Sequence, residues 1–168
     1  MKSFEQFNEE ALDESSLNRI SDKSKKGGLG FISASRGDKS KKENDSRTKQ
    51  LSKDIRGAGL PGPTKVKGEY IENDGSKDGR KVSEKSFAVS SGKKGKRKFK
   101  KAMEKLGKKY DQDSVLVQKK PSGQGKLTAT NDGGKKDMKG WDGKVGKMKP
   151  GGKGEIQTGI KKKSFTYE

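Results

Sequence analysis

The sequence predicts a small α+β domain: a β-α-β-β-α-β sheet, extended by one or two further strands, with two helices on one face and flexible basic tails. Three observations predict it. Short apolar strand-like runs alternate with two stretches whose apolar residues recur at three- and four-residue steps. Turn clusters rich in Gly, Asn, Asp and Ser separate them. Hydrophobic residues make up only 24% of the 168-residue chain and charged residues 39%, enough for one compact centre but thin for a fully ordered chain.

The first strand is expected at residues 29–35, LGFISAS. The stretch 39–56 follows as a helix, with Leu51 and Ile55 on its narrow apolar stripe and Gly57 and Gly59 marking its stop. GPTKVKGEYIEN is expected to be a strand on Val66, Tyr70 and Ile71, then NDGSKDGR a turn cluster, then KVSEKSFAVSS a strand on Phe87 and Val89. The clearest helix covers 93–109, where Phe99, Ala102, Met103 and Leu106, with Tyr110 just beyond, form one face and lysines cover the other. QDSVLVQKK reads as a strand that pairs with GKLTATN as a hairpin through PSGQG. From residue 132 glycine and lysine dominate around the only tryptophan, Trp141, before a last strand carrying Ile156, Ile160, Phe165 and Tyr167. The expected organisation is thus a leader at 1–14, a linker at 15–28, an α/β domain at 29–131 and a Gly/Lys-rich tail at 132–168.

Charge is the strongest bulk property. The net charge is +19, yet residues 1–14 hold one lysine against Glu5, Glu9, Glu10, Asp13 and Glu14. A basic body of this kind suits polyanionic surroundings, with nucleic acid first and an anionic membrane surface second. No apolar run approaches the roughly 18 residues that cross a bilayer, and the acidic opening lacks the apolar core of a secretory signal, so no membrane partner is expected. With no cysteine and no histidine, disulfides, Cys/His zinc sites and imidazole or thiolate catalysis are excluded. Neither metal nor cofactor is expected.

In the leader, Met1-Lys2-Ser3-Phe4-Glu5-Gln6-Phe7 resembles the capsid-targeting peptides of T4-like bacteriophage internal head proteins. That resemblance implies proteolytic trimming between Glu14 and Ser15, after Leu12-Asp13-Glu14, with a phage scaffold and the prohead protease as partners. It also implies a location in the virion interior or the host cytoplasm.

The body is similar to a family of uncharacterised bacterial and phage proteins, a domain of unknown function. The similarity rests on Asn44 with Arg47, Leu51 with Asp54 and Arg56, Gly68 with Tyr70, Glu84 with Ser86 and Phe87, Gln112-Asp113-Ser114-Val115, and Thr130-Asn131. It implies an α/β fold and no particular activity.

Two groups of residues are candidates for function. The first is the basic face of the second helix: Lys96, Arg97, Lys98, Lys100, Lys101, Lys105, Lys108 and Lys109, opposed by one acid, Glu104. A polyanion would relieve the like-charge repulsion along that face, so it is expected to bind DNA without sequence preference, or another polyanion. Its plainer role is a solvated face. The second group is a polar set within structured segments: Asn44, Arg47, Glu69, Glu84, Ser86, Gln112, Asp113 and Asn131. These could converge into a pocket, where paired carboxylates such as Glu69 and Glu84 could bind a divalent metal or act as acid and base. They could equally be structural, with Glu84 pairing Arg47 and Asn44 or Asp45 capping the helix. No P-loop pattern is present.

The expected function is a small basic virion-associated (internal head) protein rather than an enzyme, carried by the acidic leader and bound to DNA by charge. The alternative is an α/β domain with an enzymatic or ligand-binding activity at the polar pocket.

Overall fold

The computed structural model describes residues 20, 22–72, 80–150, 156–160 and 163–167, with side chains described for 20, 22–66 and 85–147. The leader, with Glu14 and Ser15, lies outside the described residues. The elements run β1 (Leu29–Ile32), α1 (Lys41–Gly57), β2 (Thr64–Glu72), β3 (Arg80–Ser90), α2 (Lys96–Lys109), β4 (Ser114–Gln118), β5 (Gln124–Ala129), α3 (Asp132–Asp137), β6 (Lys144–Pro150), β7 (Ile156–Ile160) and β8 (Lys163–Tyr167).

The α+β class and the β-α-β-β-α-β order are as the sequence indicates. The closure is not. The strands join in the order β1-β3-β2-β7-β8-β6-β5-β4 into a closed barrel, and every pairing is antiparallel. The segment expected to be a flexible tail supplies α3 and the three strands that close it. Closure removes exposed sheet edges, which are otherwise templates for aggregation.

Both helices form for local reasons. In α1 the Ser40 side chain accepts from the Glu43 amide at 3.1 Å, so Ser40 is the cap, and neither Asn44 nor Asp45 takes that role. Leu51 and Ile55, one turn apart, are wholly buried. In α2 Phe99, Met103 and Leu106 are buried, with Tyr110 immediately after the helix continuing the same stripe. Gly107 lets α2 lie close to the sheet, because a Cβ there would stand 2.9 Å from Thr130 and Val115 side-chain atoms.

The apolar residues divide between the two faces of the sheet. Ile32, Phe87, Val89, Val115 and Val117 meet Leu51, Ile55, Phe99, Met103 and Leu106 under the helices. Leu29, Phe31, Val66, Ala88, Leu116 and Val145 form a second cluster on the barrel's inner side. Strands β1, β3 and β4 are therefore buried on both faces, which is why FAV and VLV read as unbroken apolar runs rather than as alternation.

The basic residues of α2 lie on its outer face. Lys96, Arg97, Lys98, Lys101, Lys105, Lys108 and Lys109 are exposed. Lys100 is half-buried and pairs with Glu104 at 2.5 Å, while Lys109 pairs with Asp54 at 2.7 Å.

Candidate functional site

One end of the barrel gathers polar residues from four loops. It comprises the residues after β1, the start of α1, the turn between α2 and β4, and the turn from β5 into α3. The chain leaves β1 through Ser33, whose hydroxyl donates to the Lys85 carbonyl at 2.8 Å and accepts from the Ser35 amide at 3.1 Å. Asn44 holds the next residue on both sides. Its Oδ1 accepts from the Arg36 amide at 3.0 Å, and its Nδ2 donates to the Arg36 carbonyl at 3.0 Å.

Arg47, one turn further along α1, donates from Nε to the Ala34 carbonyl at 2.8 Å and from Nη2 to the Tyr110 carbonyl, with its guanidinium 5.5 Å from the Tyr110 ring centre. A planar fork over an aromatic face suits arginine and not lysine. Gln112 is buried and its Nε2 reaches the carbonyls of Ser35 at 3.3 Å and Tyr110 at 3.1 Å.

On the far side, Asn131 caps α3 by accepting from the Gly134 amide at 2.7 Å. Its Nδ2 donates to Oδ1 of Asp111 at 3.2 Å and Oδ1 of Asp113 at 3.0 Å. Arg36 completes the ring, with Nε 3.1 Å from Asp38 and Nη1 3.4 Å from Asp111 Oδ2. Against the cost of burial, the bond to Asp38 and the charges of Asp111, Asp38 and Asp113 raise the Arg36 pKa.

Five of the eight candidate pocket residues, Asn44, Arg47, Gln112, Asp113 and Asn131, thus meet at one end. Ser86 on β3 lies opposite Val66, beside the Lys85 carbonyl that Ser33 holds. The backbone places Glu84 opposite Gly68 and Glu69 opposite Ser83 on the β2–β3 ribbon, and the side chains of both glutamates lie outside those described. Arg47 is engaged by two carbonyls and an aromatic ring.

The residues divide by exposure. Asn44, Arg47 and Gln112 spend their polar atoms on backbone groups of this chain and hold the loops. Asp111 and Asp113 are exposed and, with the half-buried Asn131 and Arg36, form the outer rim of this end. Sequence reasoning passed over Arg36, Ser33 and Asp111 and placed Tyr110 only on the apolar face of the second helix. Tyr110 had a signal, since it ends an apolar stripe yet carries a hydroxyl that must find a partner when buried. That partner is Asp54 Oδ2 at 2.5 Å.

The Asp54–Tyr110–Lys109 group ties α1 to the end of α2. Hydrogen bonds from Lys109 and Tyr110 hold the Asp54 carboxyl below the usual range, against the effect of burial. Burial, then Asp54, pushes the Tyr110 phenol well up. A depressed carboxylate contributes stability above its unfolded pKa, near 3.8, and loses it as pH falls through the lower folded value. Stability should therefore fall on acidification below about pH 4, and Asp54→Asn should flatten that limb. Thermal midpoints across pH 2–6 check this; equal slopes for parent and variant would count against it.

A small closed antiparallel barrel, two helices packed on one side and a polar rim at one end is the class of architecture in hand. Residues 30–168 match the model of the S-adenosylmethionine lyase family, and the chain belongs to that family. Among solved structures, a phage SAM lyase in complex with S-methyl-5'-thioadenosine is similar at 18% identity, covering 61% of this chain and 88% of that chain with a TM-score of 0.40. No curated protein matches.

Family membership overturns several expectations. A lyase family indicates an enzyme, where the charge had suggested a non-enzymatic virion protein. It overturns the internal head role, and with it the DNA, scaffold and protease partners, in favour of an enzyme family. The physical reason lies in α2. Its basic residues are the solvated side of a helix whose other side is core, and Lys100 and Lys109 are taken up by Glu104 and Asp54. The body is assigned to a family with a named activity rather than to one of unknown function. Among the described residues no helix is long and apolar enough to cross a membrane.

Proposed function

We propose that this chain cleaves S-adenosylmethionine without using water. Membership of the lyase family over residues 30–168 carries the reading. The substrate is a sulfonium cation. When a carbon–sulfur bond breaks, the electron pair passes to sulfur and a neutral thioether leaves, so no protein acid is needed to protonate the leaving group. The aminobutyrate arm is the arm that can complete its vacated carbon unaided. It can do so by closing on its own carboxylate, which moves no proton, or by losing a neighbouring proton to a base. Either route leaves methylthioadenosine. A chain without histidine or cysteine is compatible with such chemistry, because the demands are placement and electrostatics.

The rim supports this reading. In a chain of net charge +19, Asp111 and Asp113 present exposed carboxylates on either side of Asn131. A cationic substrate is drawn to such an edge and repelled by the surrounding lysines, which favours one orientation of entry. Glu84 and Ser86, on the β3 strand that enters this end, are the proposed neighbours of the reacting arm. The substrate is an intracellular metabolite, so the reaction belongs in a cytoplasm.

The test is direct. The purified chain incubated with S-adenosylmethionine should release methylthioadenosine, and turnover in heavy-oxygen water should put no solvent oxygen on the carbon that left sulfur. Asp113→Asn should lower kcat/KM roughly tenfold, about 1.4 kcal/mol, with little change in thermal midpoint, since it removes one negative charge facing the cationic substrate but keeps an oxygen to accept from Asn131. Release at the rate of a buffer blank would end the reading.

A further inference from the structure

The family match begins at residue 30, but the ordered body begins earlier. Ile20 is only 2% exposed and packs in the inner cluster with Leu29, Phe31, Val66, Ala88, Leu116 and Val145. Residues 22–26, within the stretch whose composition suggests a linker, are helical. Ser24 is buried, donates from Oγ to Gln118 Oε1 at 3.1 Å and accepts at its carbonyl from Gln118 Nε2 at 2.9 Å and the Ser122 amide at 2.7 Å. Gly28 exchanges bonds with Ser91: its amide donates to Ser91 Oγ at 3.1 Å and its carbonyl accepts from the Ser91 amide at 3.0 Å. Space at Gly28 is fully used, since a Cβ there would lie 3.1 Å from the Gln118 carbonyl, Phe99 and Ser91.

These contacts fall at one level of the barrel. Leu29 pairs with both Ser90 and Gln118, so residues 20–28 lie where β1 begins and where β3 and β4 end. The polar rim lies at the opposite end, where β1 ends and β4 begins. Lys23, Lys25 and Lys26 flank Ser24 in sequence, so one buried hydroxyl and one buried isoleucine hold a stretch that is otherwise charged.

We infer that residues 20–28 are a built-in plug that seals the barrel end opposite the rim. The body therefore reaches at least to Ile20, about ten residues ahead of the family boundary. Among the described residues, the end left open is the one bearing Arg36, Asp111, Asp113 and Asn131. The inference rests on burial and hydrogen bonding alone and holds whatever the substrate proves to be.

Full-length Ile20→Ala and the gentler Ile20→Val test it by thermal unfolding and residue-resolved amide exchange. Ile20→Ala should lower the midpoint by roughly 4–20 °C and Ile20→Val by about 1–6 °C. Exchange should quicken at least about tenfold at the amides of Gly28, Ser91 and Ser122, which the plug protects, and much less at Gln112 and Thr130 by the rim. If Ile20→Ala does not fold, Ile20→Val gives the pattern alone. Equal acceleration at both ends would make Ile20 an ordinary core residue and overturn the plug. Midpoints and exchange unchanged from the parent would overturn it as well.

Discussion

Gly134→Ala should cost about 3 kcal/mol or more, at the upper end of overpacking, and lower the thermal midpoint by roughly 6–12 °C. A Cβ at residue 134 would stand 1.8 Å from the Asp113 carbonyl oxygen and 2.6 Å from its carbon. Both are backbone atoms at the entrance to β4 and cannot swing aside. The first turn of α3 would have to lift, breaking the bond from the Gly134 amide to Asn131 and disturbing the Asn131–Asp113 contact. Gly133→Ala is the control. Its nearest neighbour would be the Asp113 carboxylate at 3.3 Å, the end of a side chain that can shift. Exchanging glycine for alanine inside a helix normally stabilises by up to about 1 kcal/mol, so the adjacent change should be neutral or mildly favourable. Urea unfolding of both variants decides it: similar midpoints would mean that α3 does not sit against Asp113 as described.

Phe99→Ala should cost about 3–5 kcal/mol, the range for removing a wholly buried aromatic ring. Phe99 is 0% exposed, and its ring closes on the backbone of β1: a Cβ at Gly28 or Gly30 would lie 3.1 or 3.2 Å from it. Two glycines form the seat, so the backbone beneath offers no side chain to fill the space, and only the flexible Met103, which also reaches Gly30, lies beside it to recover part of the loss. The variant should lose roughly 6–20 °C in thermal midpoint with an unchanged dependence on denaturant. Phe99→Leu, which fills much of the volume, should recover more than half of the loss. A Phe99→Ala protein as stable as the parent would contradict the packing of α2 on β1.

What could be read in advance followed the physics of local signals. Phe99, Met103 and Leu106 repeat at helical spacing, and α2 is where they place it. β4 and β5 are announced by an apolar run, a Pro-Ser-Gly-Gln-Gly turn and a second run. Barrel closure is non-local: β2 pairs with β7, nearly ninety positions away, and nothing in either stretch names its partner. Ile20 and Ser24 are surrounded by serine and lysine, which reads as linker, and only the structure shows them buried. At the rim, Asn44, Arg47, Gln112, Asp113 and Asn131 were visible as polar residues in ordered segments. Arg36, Ser33 and Asp111 were not, because they sit in loops, where polarity is ordinary. The positive charge misled, since solubility and polyanion binding leave the same mark on composition.

The last two strands carry a consequence for biosynthesis. On a ribosome, β2 is complete long before, and β6 shortly before, Ile156–Ile160 and Lys163–Tyr167 have emerged to join them. Until then the nascent chain bears two open strand borders, and the ring cannot shut however quickly its helices form. The lysines of the borders themselves, Lys65 and Lys67 in β2 and Lys144, Lys147 and Lys149 in β6, would keep neighbouring half-made chains apart during that interval.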